Sequence, residues 1–317
     1  MPTAGGVARP GRRAGAEAGW IPLRGIAQVA LSASPLTGLL FTVALFTGGW
    51  RIGLYGLLGA AASTAAASVL GADRDGLAKG LEGYCGCLTA ISVVVRFGAS
   101  WRTALLAVLA GAVCAVLSAA AGRLLGRIGL PPLTAPFCLV AGVLEIALPT
   151  TRPAVAPPAG GDGITRLSAS ELGDAFCNNI GQVFFLDKWY AGLILLLGLL
   201  VASRTAAVAA ACGSVAAIVT ACALGLPADR ISAGLYGYNG VLVAIALAAT
   251  FLALTAWTAG YAALAVLASV PFTAAWQAFA QPSGGSPFTW PFVVTTWLFL
   301  AAVPALDRPG ISFEKVK

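Results

Sequence analysis

Two glutamines, Gln28 and Gln182, lie in short polar segments that each precede a long apolar stretch. An amide side chain transfers no proton near neutral pH, so the chemistry it offers is hydrogen bonding. Each segment is too short to cross a bilayer, and irregular backbone at membrane depth occurs only where it lines a cavity or is buried in protein. The segments therefore predict two re-entrant half-helices whose terminal dipoles point at a passing solute. Two interfacial helices with solvated glutamines are the alternative.

A second set of residues follows in each half, where residues 80–84 and 234–238 share the pattern Gly-x-x-Gly-Tyr. Such glycines let membrane helices approach closely, and they also free carbonyl groups where a helix is unwound. Helix packing and a solute site both explain them. Asn239 follows the second copy inside an apolar run, where its amide needs a hydrogen-bonding partner.

The residue types that most enzymes need are missing or isolated. The chain has no histidine, no Gly-Lys-Ser/Thr phosphate loop and no nucleophile beside a base, so we expect no enzyme activity and no cofactor. The seven cysteines lie mostly inside apolar stretches and are expected to be buried small hydrophobic residues. Cys85 and Cys87 have no other ligand type nearby, so we expect no metal site.

The composition places these residues in a membrane protein. Of the 317 residues, 59% are hydrophobic and 10% are charged, whereas about 25% of the residues in soluble domains are charged. Apolar stretches near the roughly 20 residues that span a bilayer recur along the chain, and their composition favours helices. The net charge of +7 comes from cations scattered between these stretches, which is typical of membrane loops and argues against nucleic-acid binding.

The chain contains a tandem duplication with a constant offset. Aligning Gln28 with Gln182 gives an offset of 154 residues. The same offset aligns Gly38 with Gly192, Gly59 with Gly213, and residues 80–84 with 234–238. The segments PLTAPF (132–137) and PFTWPF (287–292) also match, with a slip of one residue. A register kept over more than a hundred residues indicates two copies of one unit.

Each half divides into one short polar segment and five apolar spans. The predicted spans are 35–55, 56–71, 80–97, 102–122 and 131–149 in the first half, and 189–203, 205–226, 234–250, 254–271 and 287–305 in the second. An odd number of crossings inverts the second half, so we predict an all-α membrane protein of two inverted repeats, 22–150 and 171–306. The other segments are a flexible cytoplasmic N-terminus (1–21), a linker (151–170) and a cytoplasmic tail (307–317).

The distribution of cations predicts the orientation in the membrane. With the N-terminus inside, twelve of the nineteen Lys and Arg residues fall in inner segments and seven in outer ones. The positive-inside rule therefore favours a multi-pass protein of the cell membrane with both termini in the cytoplasm.

Four segments together resemble the urea transporter family: residues 34–46 (SPLTGLLFTVALF), 130–140 (LPPLTAPFCLV), 178–204 and 234–247 (GLYGYNGVLVAIAL). The resemblance extends over residues 22–305. It implies two inverted halves, each with a re-entrant pore helix and five spans, assembled in the lipid as a homotrimer with one pore in each subunit. It also implies channel-like, facilitative transport of urea down its gradient.

The same resemblance implies a narrow pore between two hydrophilic rows. Its positions correspond to pore-helix ends whose carbonyls form oxygen ladders, side chains that wall a slot, an aromatic–leucine pair spaced by four, and a central threonine in each half. In chain order they are Gln28, Val29, Leu31, Tyr84, Leu88, Thr134, Gln182, Val183, Phe185, Tyr238, Leu242 and Thr289. Such a slot suits urea, which is flat and neutral with four N–H donors, and it offers ions no counter-charge.

The first half departs from the family pattern at three places. These are Ala30-Leu31 where the second half has Phe184-Phe185, Glu82 in place of Tyr236, and Cys85 in place of Asn239. One wall of the slot therefore loses aromatic surface. Glu82 either pairs with Lys79 at the membrane edge or lines a vestibule and changes what enters. These departures bear on the strictness of urea selectivity and leave the channel architecture unchanged.

Two other transport mechanisms stay open. A channel for another small neutral solute could share this plan, although the absence of histidine argues against ammonium transport and the absence of Asn-Pro-Ala pairs against an aquaporin. An ion- or proton-coupled secondary transporter also uses inverted repeats, but it needs ionisable groups in mid-membrane. Glu82 and Glu145 are the candidate acids within spans, and each lies near a predicted helix end.

Overall fold

The computed structural model describes residues 19–148, 167–306 and 310–313. These residues are mostly helical, and the only β pairing among them is an isolated bridge between Leu252 and Phe313. The prediction of an all-α protein is confirmed. Nearly all of the predicted N-terminal segment 1–21, most of the linker 151–170 and most of the tail 307–317 lie outside the described residues.

The first half forms helices of very unequal length. They are α1 (Ile21–Gln28), α2 (Pro35–Gly48), α3 (Trp50–Val69), α4 (Arg74–Ala78), α5 (Tyr84–Phe97), α6 (Trp101–Gly126) and α7 (Ala135–Ala147). Local signals explain where they start. Ser34 caps α2, because its Oγ accepts from the N–H of Thr37 at 3.3 Å and Pro35 fits the first turn. Ser100 starts α6 with a capping box.

The second half repeats this order of helices. They are α8 (Ala169–Gly181), α9 (Trp189–Ala202), α10 (Arg204–Ala223), α11 (Ala228–Ser232), α12 (Tyr238–Ile245), α13 (Ala256–Ala280) and α14 (Trp290–Ala302). A 3₁₀ turn, Gln182–Phe184, extends α8, and a π-helical segment, Ala246–Phe251, extends α12. Further 3₁₀ turns follow α13 (Gln281–Ser283) and α14 (Val303–Ala305).

Each of the ten predicted spans overlaps with an apolar helix of the described residues. By length and composition, α3, α6, α10 and α13 can each cross a membrane on their own. A further candidate is the pair formed by residues 169–184 and α9, which meet at a bend of 72°. The remaining apolar helices, α2, α5, α7, α12 and α14, are shorter. The chain is therefore a multi-pass membrane protein.

The predicted boundary between spans 35–55 and 56–71 is wrong. Helix α2 ends at Gly48 and α3 begins at Trp50, because Gly49 adopts a φ of +156° that interrupts the helix. The Gly48–Gly49 pair was the available signal, since paired glycines mark turns. The predicted end of the span 254–271 is also wrong, because α13 continues to Ala280 and contains Pro271.

Aligned glycines make equivalent contacts in the two halves. A Cβ atom at Gly38 would lie closer than 3.0 Å to backbone atoms of α1, and a Cβ at Gly192 would meet the backbone of α8 in the same way. Gly80 and Gly234, with φ near +79° and +77°, approach the same two half-helices from another side. Each half-helix is thus held between backbone segments that only glycine allows.

The halves pack together through α2 and α9. Thr37 Oγ1 donates to the carbonyl of Gly198 at 2.9 Å, and Phe41 lies edge-on to Phe184 with ring centroids 5.4 Å apart. Helices α7 and α14 also meet, which brings the loops that precede them to the middle of the molecule.

The described part of the predicted tail is attached to the start of α13. The N–H of Ala253 donates to the carbonyl of Ser312 at 2.9 Å, and the hydroxyls of Thr255 and Thr258 donate to the carbonyl of Gly310 at 2.6 and 3.0 Å. Residues 310–313 therefore lie at the N-terminal end of α13.

Candidate functional site

The two glutamines fasten the ends of the half-helices. Gln28 Nε2 donates to the carbonyl of Lys79 at 2.9 Å, and Gln182 Nε2 donates to the carbonyl of Ala233 at 3.1 Å. The side chains thereby tie α1 and α8 to the turns that follow α4 and α11. Gln28 is only 8% exposed, so the alternative of a solvated interfacial glutamine does not hold for it. Gln182 is half-buried.

Each half-helix gives way to a large residue in the left-handed conformation. These residues are Leu31, with a φ of 58°, and Phe185, with a φ of 61°. Left-handed backbone costs a non-glycine residue of order 1–3 kcal/mol, and such costs cluster at functional sites. Just before them, the carbonyls of Val29 and Val183 receive no hydrogen bond within the part of the chain that the structure describes. They are free to accept one where the chain leaves the helix.

A second left-handed pair precedes the two central threonines. Leu133 and Phe288 have φ values of 47° and 44°. Their carbonyls accept from tyrosine hydroxyls, from Tyr84 to Leu133 at 2.6 Å and from Tyr238 to Phe288. The hydroxyl group of each predicted tyrosine therefore holds this backbone in place. We did not predict Leu133 and Phe288, although the aligned PLTAPF and PFTWPF segments contained both.

The two central threonines meet between α7 and α14. Thr134 Oγ1 lies 2.6 Å from Thr289 Oγ1, and Cys138 Sγ lies 3.1 Å from the same Thr289 oxygen. Both threonines are at most 3% exposed. One hydroxyl from each half thus reaches a single buried point.

Three phenylalanine rings lie beside this point. Phe137, Phe185 and Phe288 pack edge to face, with ring centroids between 5.2 and 6.2 Å apart. This geometry gives an apolar wall of fixed shape. Phe185 was predicted from the resemblance, whereas Phe137 was not, because its position in α7 gave no sign of its neighbours.

A cavity of about 360 Å³ opens next to these rings. The predicted residues that line it all belong to the second half: Gln182, Val183, Phe185, Tyr238 and Thr289. The first-half counterparts Gln28, Val29, Leu31, Tyr84 and Thr134 are not among the residues described as lining it, nor are Leu88 and Leu242, which are fully buried. The predicted row of the second half therefore lines this cavity. The row of the first half does not, but its Thr134 contacts Thr289, which does.

Three charged side chains line this cavity within the described residues: Arg96, Glu145 and Arg230. Arg96 Nε lies 3.3 Å from Glu145 Oε1, and Ser286 Oγ donates to the same oxygen at 2.9 Å. Two guanidinium groups against one carboxylate make the cavity unfavourable for cations. We did not predict this pair, because it joins α5 to α7 and no local pattern connects residues so far apart.

The predicted ion pair between Glu82 and Lys79 is wrong. The ion pairs in the described ranges are Arg96–Glu145 and Lys188–Asp187. Helix α4 ends at Ala78, and the chain turns before α5, so a spacing of three residues does not place Glu82 and Lys79 on one helical face.

Asn239 has the partners that its apolar surroundings require. Its Nδ2 donates to Thr273 Oγ1 at 3.2 Å, and its Oδ1 accepts from the N–H of Phe292 at 3.2 Å. The amide thereby satisfies a first-turn donor of α14 and joins it to α13. Cys85, which takes this place in the first half, is buried and places its Sγ 3.8 Å from the carbonyl of Leu133.

Comparisons of the sequence with known proteins match one family over nearly the whole chain. A family model described as "Urea transporter" matches residues 20–304. Urea transporter 1 of Ovis aries is 31% identical over 292 residues, which cover 89% of this chain and 76% of that protein. Urea transporter 1 of Mus musculus is 32% identical over 292 residues, with the same coverage.

Proposed function

Because the chain belongs to the urea transporter family, we propose that it conducts urea across the cell membrane, down its gradient, through a slot between its two halves. The observation that carries this proposal is the meeting of Thr134 and Thr289 at 2.6 Å, one hydroxyl from each half. A solute path between the halves has to pass this buried polar point, which is flanked by left-handed backbone and by phenylalanine rings.

The chemistry of the site fits a flat neutral amide. The rings of Phe185 and Phe288 offer apolar surface to the faces of urea. The free carbonyls of Val29 and Val183 offer acceptors to its N–H groups, with a threonine hydroxyl at the midpoint. An amide without hydrogen-bonding partners in a dry slot would be destabilised by several kcal/mol. These acceptors therefore have to replace the hydrogen bonds that urea makes with water. Ions gain no comparable compensation.

The remaining pore residues keep the roles that the family resemblance implies. In this proposal the half-helix ends carry the oxygen ladders, and the other side chains wall the slot. The residues of the walls are Leu31, Tyr84, Leu88, Phe185, Tyr238 and Leu242. Gln28 and Gln182 act indirectly, because their amide groups hold the half-helix ends in place.

An inverted arrangement of the halves is part of the proposal, and the lining of the cavity supports it. The C-terminal ends of α5 and α7 line the cavity together with the residues that start or precede α12 and α14. Helix α5 aligns with α12 in the duplication, and α7 aligns with α14. On this side of the molecule, each first-half helix therefore has its C-terminal end where the aligned second-half helix has its N-terminal end. A pseudo-two-fold axis in the membrane plane produces this arrangement. The bend of 72° after α8 supports a re-entrant half-helix there.

In this topology both termini are cytoplasmic and the cavity faces outwards. Residues 310–313 lie at the start of α13, an end that the proposed topology places on the inner face. The homotrimer with one pore in each subunit is also part of the proposal, and it rests on the family resemblance.

Stopped-flow light scattering on proteoliposomes tests the function. We expect urea to equilibrate much faster than in empty liposomes, with weak saturation and no response to a pH gradient or a membrane potential. Accumulation of urea driven by a proton or sodium gradient would favour the coupled transporter instead. A panel of urea, acetamide, formamide and ammonia would identify a channel for another neutral solute, because such a channel would pass one of these faster than urea.

A further inference from the structure

The Arg96–Glu145 pair has hydrogen-bonding capacity that the protein does not use. Glu145 Oε1 accepts from Ser286 and contacts Arg96, whereas Oε2 is buried and has no hydrogen-bond partner in the described residues. Arg96 Nε, although it lies near the carboxylate, makes no aligned hydrogen bond either. A buried carboxylate oxygen without a donor is costly, more so than a neutral acceptor. The position therefore favours a molecule that brings N–H or O–H donors.

This unused acceptor belongs to the cavity that leads to the threonine pair. Glu145 is 9% exposed and lines the same cavity as Phe185, Phe288 and Thr289. A solute that enters from this side meets the carboxylate in the cavity whose wall also carries the rings and the central threonine. Because Arg96 neutralises Glu145, the pair itself attracts ions of neither sign strongly, and Arg230 in the same cavity disfavours cations; the unused acceptor is therefore open to a polar neutral molecule that brings N–H donors.

The other half has no equivalent pair. The positions that align with Arg96 and Glu145 are Thr250 and Leu300, and neither is charged. Thr250 Oγ1 donates to a carbonyl of its own helix, and Leu300 is buried. The duplicated unit therefore does not require the pair for its fold, and one mouth of the pore differs chemically from the other.

We propose that Arg96 and Glu145 form a docking site for the substrate at this mouth, in which Glu145 Oε2 accepts an N–H group of a planar amide and the Arg96 guanidinium donates to its carbonyl oxygen. The proposal rests on the proposed function, since it assigns the first binding position of the same conduit. An amide exchanges some of its water here for charge-assisted hydrogen bonds. Both contacts stay exchangeable, as conduction requires.

A purely structural role for the pair is the competing explanation. Arg96 Nη2 donates to the carbonyl of Gly284 at 3.2 Å, and Glu145 accepts from Ser286, so the pair also holds the loop that leads to Phe288. The two roles separate experimentally, because a loop anchor needs the bond from Ser286 and a docking site needs the free carboxylate oxygen.

The test compares Glu145→Gln with Ser286→Ala in urea flux measured against urea concentration. A glutamine side chain is isosteric with glutamate and can still accept from Ser286, but it lacks the charge. We expect Glu145→Gln to raise the half-saturating urea concentration about three- to tenfold with little change in maximal rate or melting temperature. Ser286→Ala keeps the carboxylate and should leave the half-saturating concentration unchanged. An unchanged value in Glu145→Gln, or an equal rise in Ser286→Ala, would overturn the docking site.

A second measurement uses the wild-type protein and does not depend on the folding of a variant. Dicyclohexylcarbodiimide labels buried carboxyl groups in their protonated form, so the reaction is run at mildly acidic pH, where a fraction of Glu145 is protonated, and peptide mass spectrometry reads its labelling. Urea should reduce this labelling, whereas mannitol at equal osmolality should not; equal labelling in both would refute the proposal. A wild-type protein that passes no urea at all would instead refute the proposed function.

Discussion

Four large residues in the left-handed conformation define the centre of this protein at the scale of single residues. Leu31 and Phe185 follow the half-helices, and Leu133 and Phe288 precede the threonines. Glycine would adopt this backbone without strain, but it would remove the side chain from the wall. The protein accepts strain of order 1–3 kcal/mol at each site. Tyrosine hydroxyls and glutamine amides supply part of the compensation.

The threonine pair gives a prediction at this scale. Thr289→Val keeps the volume and removes the hydroxyl that lies 2.6 Å from Thr134 Oγ1. We expect urea flux to fall roughly tenfold, because one hydrogen bond of about 1–1.5 kcal/mol is lost where the two halves meet. Stopped-flow flux per reconstituted protein measures the change.

Thr296→Val is the matched control for this prediction. Thr296 lies in α14, the helix that follows Thr289; it is fully buried, and its hydroxyl has no hydrogen-bond partner within the described residues. Its replacement should leave both flux and melting temperature near wild type. Equal flux in the two variants would show that urea passes somewhere other than the threonine pair.

At the scale of elements, the half-helices α1 and α8 depend on close backbone packing. They have only 8 and 13 residues, so hydrogen bonds within these helices do not hold them in place. Helices α2 and α9 press against them at Gly38 and Gly192, where any side chain would overlap with the backbone. Close backbone packing therefore positions the half-helices, together with the hydrogen bonds of Gln28 and Gln182.

Gly38→Ala tests this dependence. The added methyl group would overlap with backbone atoms of α1, and backbone cannot move aside as a flexible side chain does. We expect a loss of about 3 kcal/mol of stability, seen as a large fall in melting temperature and in monodisperse protein after detergent extraction. Gly192→Ala should behave alike against α8.

Gly122→Ala provides the control for these glycine variants. Gly122 lies in α6 with open space around the position of a Cβ atom. Alanine is the better helix former, so this variant should be neutral or stabilised by up to about 1 kcal/mol. A similar loss in Gly38→Ala and Gly122→Ala would mean that close packing on α1 is not the cause.

At the scale of the whole molecule, two copies of one unit surround a common centre, but they contribute different residues to the cavity beside it. Each copy contributes a half-helix, a tyrosine, a left-handed residue and a threonine to the middle. The described cavity, however, is lined by the pore row of one copy and by helix ends of the other, and its charged pair has no counterpart. In the proposed channel, duplication accounts for the slot, and divergence of the two copies accounts for the charged pair in the cavity.

Thiol labelling tests the proposed inversion. Asp75 and Asp229 are aligned in the duplication, and both are exposed on short helices. In a protein that carries Cys212→Ser and Cys222→Ser, which removes the exposed cysteines, we expect Asp75→Cys and Asp229→Cys to react with an impermeant thiol reagent from opposite faces. Mass tags on sealed vesicles and on opened vesicles read the outcome. Labelling of both from one face contradicts the inverted repeat.

The sequence by itself determined the membrane class and the duplication, and it predicted which residues form the pore. Hydropathy is a local property and the repeat register is a periodic one, so both can be read from the sequence. Aligned residues such as Gln28 and Gln182 can therefore be identified without a structure. The family resemblance added the threonines and the walls. The boundary at Gly49 was readable from paired glycines, but apolar composition on both sides concealed it.

Only the tertiary structure decided what these residues touch. The bond between Thr134 and Thr289, the ring cluster of Phe137, and the Arg96–Glu145 pair all join segments that lie far apart in the chain. No local pattern specifies such contacts, because they arise when α5, α7 and α14 pack around one centre. The same reason explains why Lys79 and Glu82, so near in sequence, form no ion pair: α4 ends at Ala78, so the two residues do not share a helical face.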